Sequence, residues 1–188
     1  MVILSLGAIV ATILTRSITV AEFEQMPDPP GGYLELHHGE VVKMANPKHG
    51  HTRDQRRLWG LLDPLAGDTG VVDKEVPYRP LPEYEDWRAD VAYVSRERWY
   101  GTPRDGYLQG APELVVEVLS PSNTVPELRE KKNLCLRNGS REFWTVDSDQ
   151  REVDVSTPDG RTVTYRSGQE IPIFFAPGQS LRVDDIFN

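Results

Sequence analysis

One cysteine, Cys135, stands in 188 residues. No intrachain disulfide is available, and a reducing cytoplasm is the plain expectation. Cys135 falls in a helix-like stretch and reads as a small core residue rather than a nucleophile. Positive charge is also short: 21 Lys and Arg against 29 Asp and Glu leave a formal net charge of −8. That balance argues against a general nucleic-acid coat protein, which would be basic, but leaves room for an enzyme whose acids hold a metal. Long apolar runs are missing. Met1 to Leu14 is apolar, yet it lacks a basic leading segment and is too short to span a bilayer, so a packed or frayed arm is expected there and no membrane partner. Repeats, low-complexity tracts and linkers are absent too, and a chain of this length is most simply one domain, 1–188.

What is present is a succession of short elements. Thr19-Val-Ala-Glu22 fits a capping box, so a helix is expected from Thr19 to before Pro27. Tyr33 to Leu36 and Val41 to Met44 read as a hairpin around His38-Gly39. Leu58, Leu61, Leu62 and Leu65 repeat at helical spacing, predicting a helix from about His51 to Leu62 that Pro64 ends or kinks. Gly70 to Tyr78 reads as a strand, and Ser95 to Pro112 as a long loop. A helix is expected over about 125–138, stopped by Gly139, then a strand from Glu142 to Val146. A hairpin turns at Pro158-Asp-Gly160, and Ile171 to Ile173 and Leu181 to Val183 are late strands. The order predicts an α/β (α+β) fold: a mixed sheet with helices packed on it and hairpins added at each end.

Two stretches stand out, Arg88-Ala-Asp-Val-Ala-Tyr-Val94 and Glu113-Leu-Val-Val-Glu-Val-Leu-Ser120. Both read as strands, and each carries one acid inside an apolar run. Alternation puts Ala89, Val91 and Tyr93 on one face, with Asp90, Ala92 and Val94 on the other; Val115 and Glu117 share a face. A carboxylate between valines is costly to bury unpaired, and two on neighbouring strands repel unless a cation lies between them. Oxygen ligands without nearby His or Cys favour Mg²⁺ or Mn²⁺ over Zn²⁺. Asp90 and Glu117 supply two such oxygens, and the backbone carbonyl of Val118 is a plausible third.

These strings resemble the PD-(D/E)XK nucleases, the restriction-endonuclease-like superfamily. More narrowly, they resemble a bacterial restriction-endonuclease-like family whose members occur in many copies in some genomes. The matching residues include Tyr33-Leu-Glu-Leu-His-His-Gly-Glu40, Pro47 with His51, the Asp90 and Glu117 strings, Glu130-Lys131, and Asn138-Gly-Ser-Arg-Glu-Phe-Trp-Thr-Val-Asp147. Coverage runs from about Thr19 to Phe187, leaving residues 1–18 outside. The resemblance implies a core ordered helix-strand-strand-strand-helix-strand and a metal-dependent endonuclease cutting DNA. Asp90 and Glu117 would hold the ion. The superfamily's lysine position, two after the Glu, is Leu119 here; the family moves that lysine to the next helix, at Lys131. The family's usual Pro before the Asp is Ala89, and its customary Tyr one turn after the lysine is Cys135.

Helical periodicity alone sets Lys132 nearer the middle of the apolar side than Lys131, whereas family register selects Lys131. His51 reads as a proton carrier or as a polar residue at a helix start, and Glu40 as an acid reaching in from the hairpin or lying at its edge. Asn138-Gly-Ser140 matches a glycosylation pattern at a helix stop, most simply by chance. One site per chain and two strands to cut imply a homodimer. The alternative functions are a non-cleaving module that binds nucleic acid or protein, and a small-molecule metal hydrolase.

Overall fold

The computed structural model describes residues 16–120 and 123–188. The arm expected at Met1 to Leu14 lies outside the described residues, as do Pro121 and Ser122 of the turn after the Glu117 strand.

The first helix, α1 (Val20–Phe23), is a single turn opened by the expected capping box: Glu22 N–H donates to the Thr19 hydroxyl at 3.4 Å, and Thr19 N–H to the Glu22 carboxylate at 3.0 Å. The hairpin of β1 (Gly32–His37) and β2 (Glu40–Ala45) turns at His38-Gly39, both at positive φ. Helix α2 (His49–Ala66) runs through Pro64 instead of ending before it. Pro64 lies in the last turn, so little of the main-chain ladder is lost. The carbonyl facing its ring is that of Gly60, one turn back.

Strands β3 (Gly70–Arg79) and β4 (Trp87–Ser95) pair antiparallel. The expected long loop at 95–112 instead holds α3 (Arg96–Gly101) and β5 (Leu108–Gln109). Arg98 fixes this segment by donating to the carbonyls of Ala111 at 2.9 Å and Gln109 at 2.8 Å. Trp99, carried on α3, packs against the core rather than standing out in a loop.

Strand β6 (Leu114–Val118) leads through α4 (Val125–Arg137) to the parallel strand β7 (Glu142–Asp147). All five residues of β6 are buried, as expected of a strand covered on both faces. A second capping box, Thr124 with Glu127, opens α4, and Asn138 caps its end with its side chain on Leu134 O at 2.8 Å. Strands β8 (Glu152–Ser156) and β9 (Thr162–Tyr165) extend the sheet. Strands β10 (Glu170–Pro172) and β11 (Ser180–Arg182) form a separate pair. Val183, expected in the last strand, instead starts helix α5 (Val183–Phe187), whose first turn holds Asp184 and Asp185 against the helix dipole.

The main sheet is mixed, with order β5-β3-β4-β6-β7-β8-β9. On one face, Leu58, Leu62 and Ala66 of α2 meet Val72, Val91, Leu114 and Val116. On the other, Cys135 of α4 meets Tyr78, Ala92, Val115 and Phe143. Each fully buried large apolar side chain contributes ~1.5–3 kcal/mol.

One expectation fails inside this sheet. Val91 and Tyr93 face α2, but Ala89 joins Ala92 and Val94 on the α4 side. The alternation inverts at Asp90. In β3 it inverts as well: Val72 faces α2 and Val76 faces α4. Lys74 pairs with Val91 and Val76 with Ala89, yet Glu75 and Asp90 between them do not pair, and Glu75 sits at φ 53. A left-handed residue turns the strand locally, so both faces exchange there.

Candidate active site

The distortion frees the Asp90 carboxylate from the sheet's regular pattern. Val91 pairs with Val116 and Ala92 with Val115, so the next rung would set Asp90 opposite Glu117. The ladder stops short of that rung. Instead Asp90 Oδ2 accepts the Val118 N–H at 2.7 Å, and the carboxylate stands where main chain would pair. Its other oxygen accepts Gln55 Nε2 at 2.8 Å and lies 2.9 Å from His51 Nε2. His51 and Gln55 lie one turn apart on α2 and so share a face. The hydrogen bond to Asp90 raises the His51 pKa, against the pull of burial.

Glu117 is 8% exposed, on the α4 side. Burial pushes its carboxyl up to about 8, with Asp90 adding to the rise and Lys131 opposing it. Lys131 Nζ lies 2.9 Å from Glu117 Oε1 and donates to Arg88 O at 2.8 Å. The Glu117 contact is an ion pair off hydrogen-bonding geometry, so Oε1 is a buried acceptor without a hydrogen-bond donor among the described residues. Burial alone would lower the Lys131 pKa; Glu117 and Glu35 outweigh it and hold the ammonium above its ordinary value. Lys131 also stands 6.0 Å from the Trp87 ring centroid. Lys132, one residue on, has no hydrogen bond or ion pair among the described residues. Of the two lysines, the one on the flank of the apolar side, Lys131, is the one that lies against Glu117.

These residues suit a hard divalent cation. Glu117 Oε1 is met by the Lys131 ammonium without a hydrogen bond, and the pressure on its charge is what a cation relieves. In a strand the N–H and C=O of one residue point the same way; Val118 N–H meets Asp90, while Leu119 N–H serves β7 through Val146 O at 2.9 Å. The Val118 carbonyl therefore lies on the acids' side. Among the described residues no three His, Cys, Asp or Glu side chains gather into a metal cage. An ion held by two carboxylates, a carbonyl and waters needs none.

Three neighbours escaped the sequence reading. Gln55 was legible as the residue one turn after His51. Glu35, 2% exposed, accepts Arg88 N–H at 3.1 Å and lies 2.8 Å from His37 Nε2. It is an acid between Leu34 and Leu36, the same signal that singled out Asp90. Glu75, which contacts Gln55 and lies 3.7 Å from Arg88, gave no signal. Glu40 is exposed at the start of β2, on the hairpin edge. Cys135 lies buried one helical turn beyond Lys131, its Sγ 3.2 Å from the Tyr78 hydroxyl, and burial pushes the thiol up to about 12. A thiol so held is no nucleophile. Leu119 is half-buried just past β6.

The model of the Uma2 family, described as "Putative restriction endonuclease", matches residues 20–187. A crystal structure described as "a putative nuclease belonging to DUF820" from Anabaena variabilis ATCC 29413 superposes with a TM-score of 0.77 at 20% identity, covering 90% of this chain and 97% of that one. That likeness establishes a shared nuclease-like fold. No curated protein matches the chain. Among the described residues no helix is long and apolar enough to cross a membrane.

Proposed function

The chain belongs to the Uma2 family of restriction-endonuclease-like proteins, and from that premise we propose that it is a Mg²⁺- or Mn²⁺-dependent endonuclease that hydrolyses DNA phosphodiester bonds. What supports this reading is that Asp90 takes the amide of Val118, next to Glu117, at 2.7 Å, while Glu117 has the Lys131 ammonium 2.9 Å away, so two strands and a helix bring the three into one neighbourhood. Asp90, Glu117 and the Val118 carbonyl would hold the ion. When bound, the ion supplies Lewis acidity toward a phosphate and a water of lowered pKa.

The remaining chemistry belongs to side chains. His51 and Gln55 fix the Asp90 carboxylate from α2, so that it does not swing when a cation arrives. Lys131 is anchored on Arg88 O and carries a positive charge beside Glu117; it stabilises the negative charge that builds on phosphate oxygens in the transition state. Its position on a helix replaces the one that Leu119 cannot fill. A two-fold dimer would present a second site to the complementary strand.

Supercoiled plasmid is the direct substrate. Nicking with Mg²⁺ or Mn²⁺, none with EDTA, and loss on Lys131→Ala are the expected results. Plasmid left intact at micromolar protein with either ion, but shifted on a gel, overturns cleavage. That outcome would favour the binding-only reading, to which the net charge of −8 and Leu119 lend weight.

A further inference from the structure

The ion-pair partner of the Lys131 ammonium is Glu117, 2.9 Å away, the acid that a cation would claim. With Glu117 taken, the ammonium has to be kept in place by the rest of its surroundings. Those are Arg88 O at 2.8 Å and the Trp87 ring, its centroid 6.0 Å away. Both belong to the start of β4, before the Val91–Val116 rung at which pairing with β6 stops.

At that opening the main chain of β4 meets side chains instead of a strand. Leu36 and Asp86 exchange both main-chain hydrogen bonds, at 2.9 and 3.0 Å, so β1 begins to pair there. Two residues on, Arg88 presents its main chain to the same edge. A continued ladder would match it with Leu34, whose N–H turns to Asp28 at 3.3 Å instead. Arg88 N–H therefore goes to Glu35 Oε1 at 3.1 Å, while Arg88 O takes Lys131 Nζ. One residue's main chain thus holds a carboxylate and an ammonium side by side. Glu35 Oε2 lies 2.8 Å from His37 Nε2, and the His37 ring stands 5.2 Å from Trp87, the same ring that Lys131 approaches. Both oxygens of Glu35 are engaged, and the residue is 2% exposed. Against burial, Glu117 and then Glu35 hold the ammonium above its ordinary value. Burying an acid is costly, and Arg88 N–H needs only a neutral acceptor; a charge at Glu35 calls for a further reason.

We propose that Glu35 is the positioning residue for Lys131: braced by Arg88 N–H and His37, its carboxylate keeps the ammonium in place when a cation takes Glu117. The proposal rests on the nuclease reading of the Asp90–Glu117 site and adds what holds that site's positive charge. Glu35 is not a ligand of the ion in this arrangement; it acts through Lys131, as an outer partner acts through the group it orients. The early hairpin is thereby part of the active site, through the buried Glu35 and not through the exposed Glu40.

The test is steady-state plasmid nicking with Mg²⁺, with Mn²⁺ calorimetry on the same full-length proteins. Glu35→Gln keeps the shape and an acceptor for Arg88 N–H but removes the charge. It should lower kcat about ten- to a hundredfold, the usual effect of losing an outer partner. KM should stay within about twofold, since the interaction matters in the transition state. Mn²⁺ should bind as it does to the parent, which also shows that the site is folded. Glu35→Asp keeps the charge and should lose less than Glu35→Gln. In a Lys131→Ala background Glu35→Gln should cost nothing further, because it acts through that lysine. His37→Ala loosens the same carboxylate from the half-buried side; it should lower kcat by less and likewise add nothing to Lys131→Ala. Glu40→Gln, on the same hairpin, should cut at the parental rate. Parental kcat in Glu35→Gln overturns the proposal, and so does a loss that persists undiminished without Lys131. A fall in Mn²⁺ affinity matching the fall in turnover would assign Glu35 to the ion instead, and also overturns it. In each of these cases cleavage by the parent still supports the nuclease reading; no cleavage by the parent overturns that reading and this proposal with it.

Discussion

Asp90 and Glu117 would occupy the same rung between the same two strands, yet they live in opposite conditions. Asp90 has Gln55 and the Val118 amide as donors and His51 beside it. Glu117 has one ammonium beside it and an oxygen without a hydrogen-bond donor among the described residues. One carboxylate has a hydrogen-bond donor on each oxygen; burial pushes the other's carboxyl up to about 8. The difference teaches a division of labour. Asp90 is a fixed point that ties α2, β4 and β6 together. Glu117 is the group whose charge waits for a cation.

The comparison breaks most visibly at Glu117. Glu117→Gln removes the charge and keeps the shape. It should lower plasmid nicking on the order of a thousandfold or more, the several kcal/mol a bound ion's charge supplies. It should also alter stability against pH in the metal-free protein. The folded state holds the Glu117 proton up to about 8, while an unfolded glutamate loses it near the usual carboxylate range. Folding therefore binds a proton in that window, and this group's contribution is full below the unfolded pKa and lost as pH rises toward about 8. Urea titrations at rising pH should show the parent losing stability that Glu117→Gln retains. Correspondingly, Mn²⁺ affinity of the parent should rise by roughly tenfold per pH unit below about 8, because one proton leaves per ion bound.

Lys131→Ala comes next. Turnover should fall about a hundred- to a thousandfold, the effect of removing one charge-stabilising donor, while Mn²⁺ affinity measured by calorimetry does not fall. Lys132→Ala, made in parallel, should cut at the parental rate. Equal loss in both variants would place the charge requirement on the helix rather than on the Glu117 partner.

Gln55→Ala tests the secured side of the pair. With one donor gone, Asp90 should hold an ion less well, by about ten- to a hundredfold in affinity or activity, the usual cost of removing a hydrogen-bond partner of a ligand. A loss as large as that of Glu117→Gln would mean the two acids do not differ as described. The smallest effect is expected at Tyr78→Phe, which strips the hydroxyl from Cys135 behind Lys131. Stability should change by about 1 kcal/mol, read from denaturant midpoints, with nicking unaltered.

Much of this was legible in the chain. An acid inside an apolar strand pointed to Asp90 and Glu117, and the strand and helix order gave the mixed sheet. The capping box at Thr19 and the hairpin at His38-Gly39 were written in local chemistry. Glu35 carried the Asp90 signal and was passed over in favour of the exposed Glu40. What stayed hidden was set by tertiary contact. The inversion at Asp90 depends on Glu75 adopting a left-handed backbone, which nothing in its neighbours demands. Helix α3 is too short for periodicity to register and is held by Arg98 reaching across to main chain. Lys131 outranks Lys132 because its ammonium finds Arg88 O and Glu117, and a helical wheel records no such partners.

The central claim is that Asp90, Glu117 and the Val118 carbonyl hold one divalent ion. Anomalous diffraction from a crystal soaked in Mn²⁺ addresses it directly. The account predicts a single strong peak within about 2.0–2.4 Å of all three oxygens, absent in a Glu117→Gln crystal treated alike. A soaked crystal of active protein with no peak between β4 and β6, or with its peak elsewhere, would contradict it.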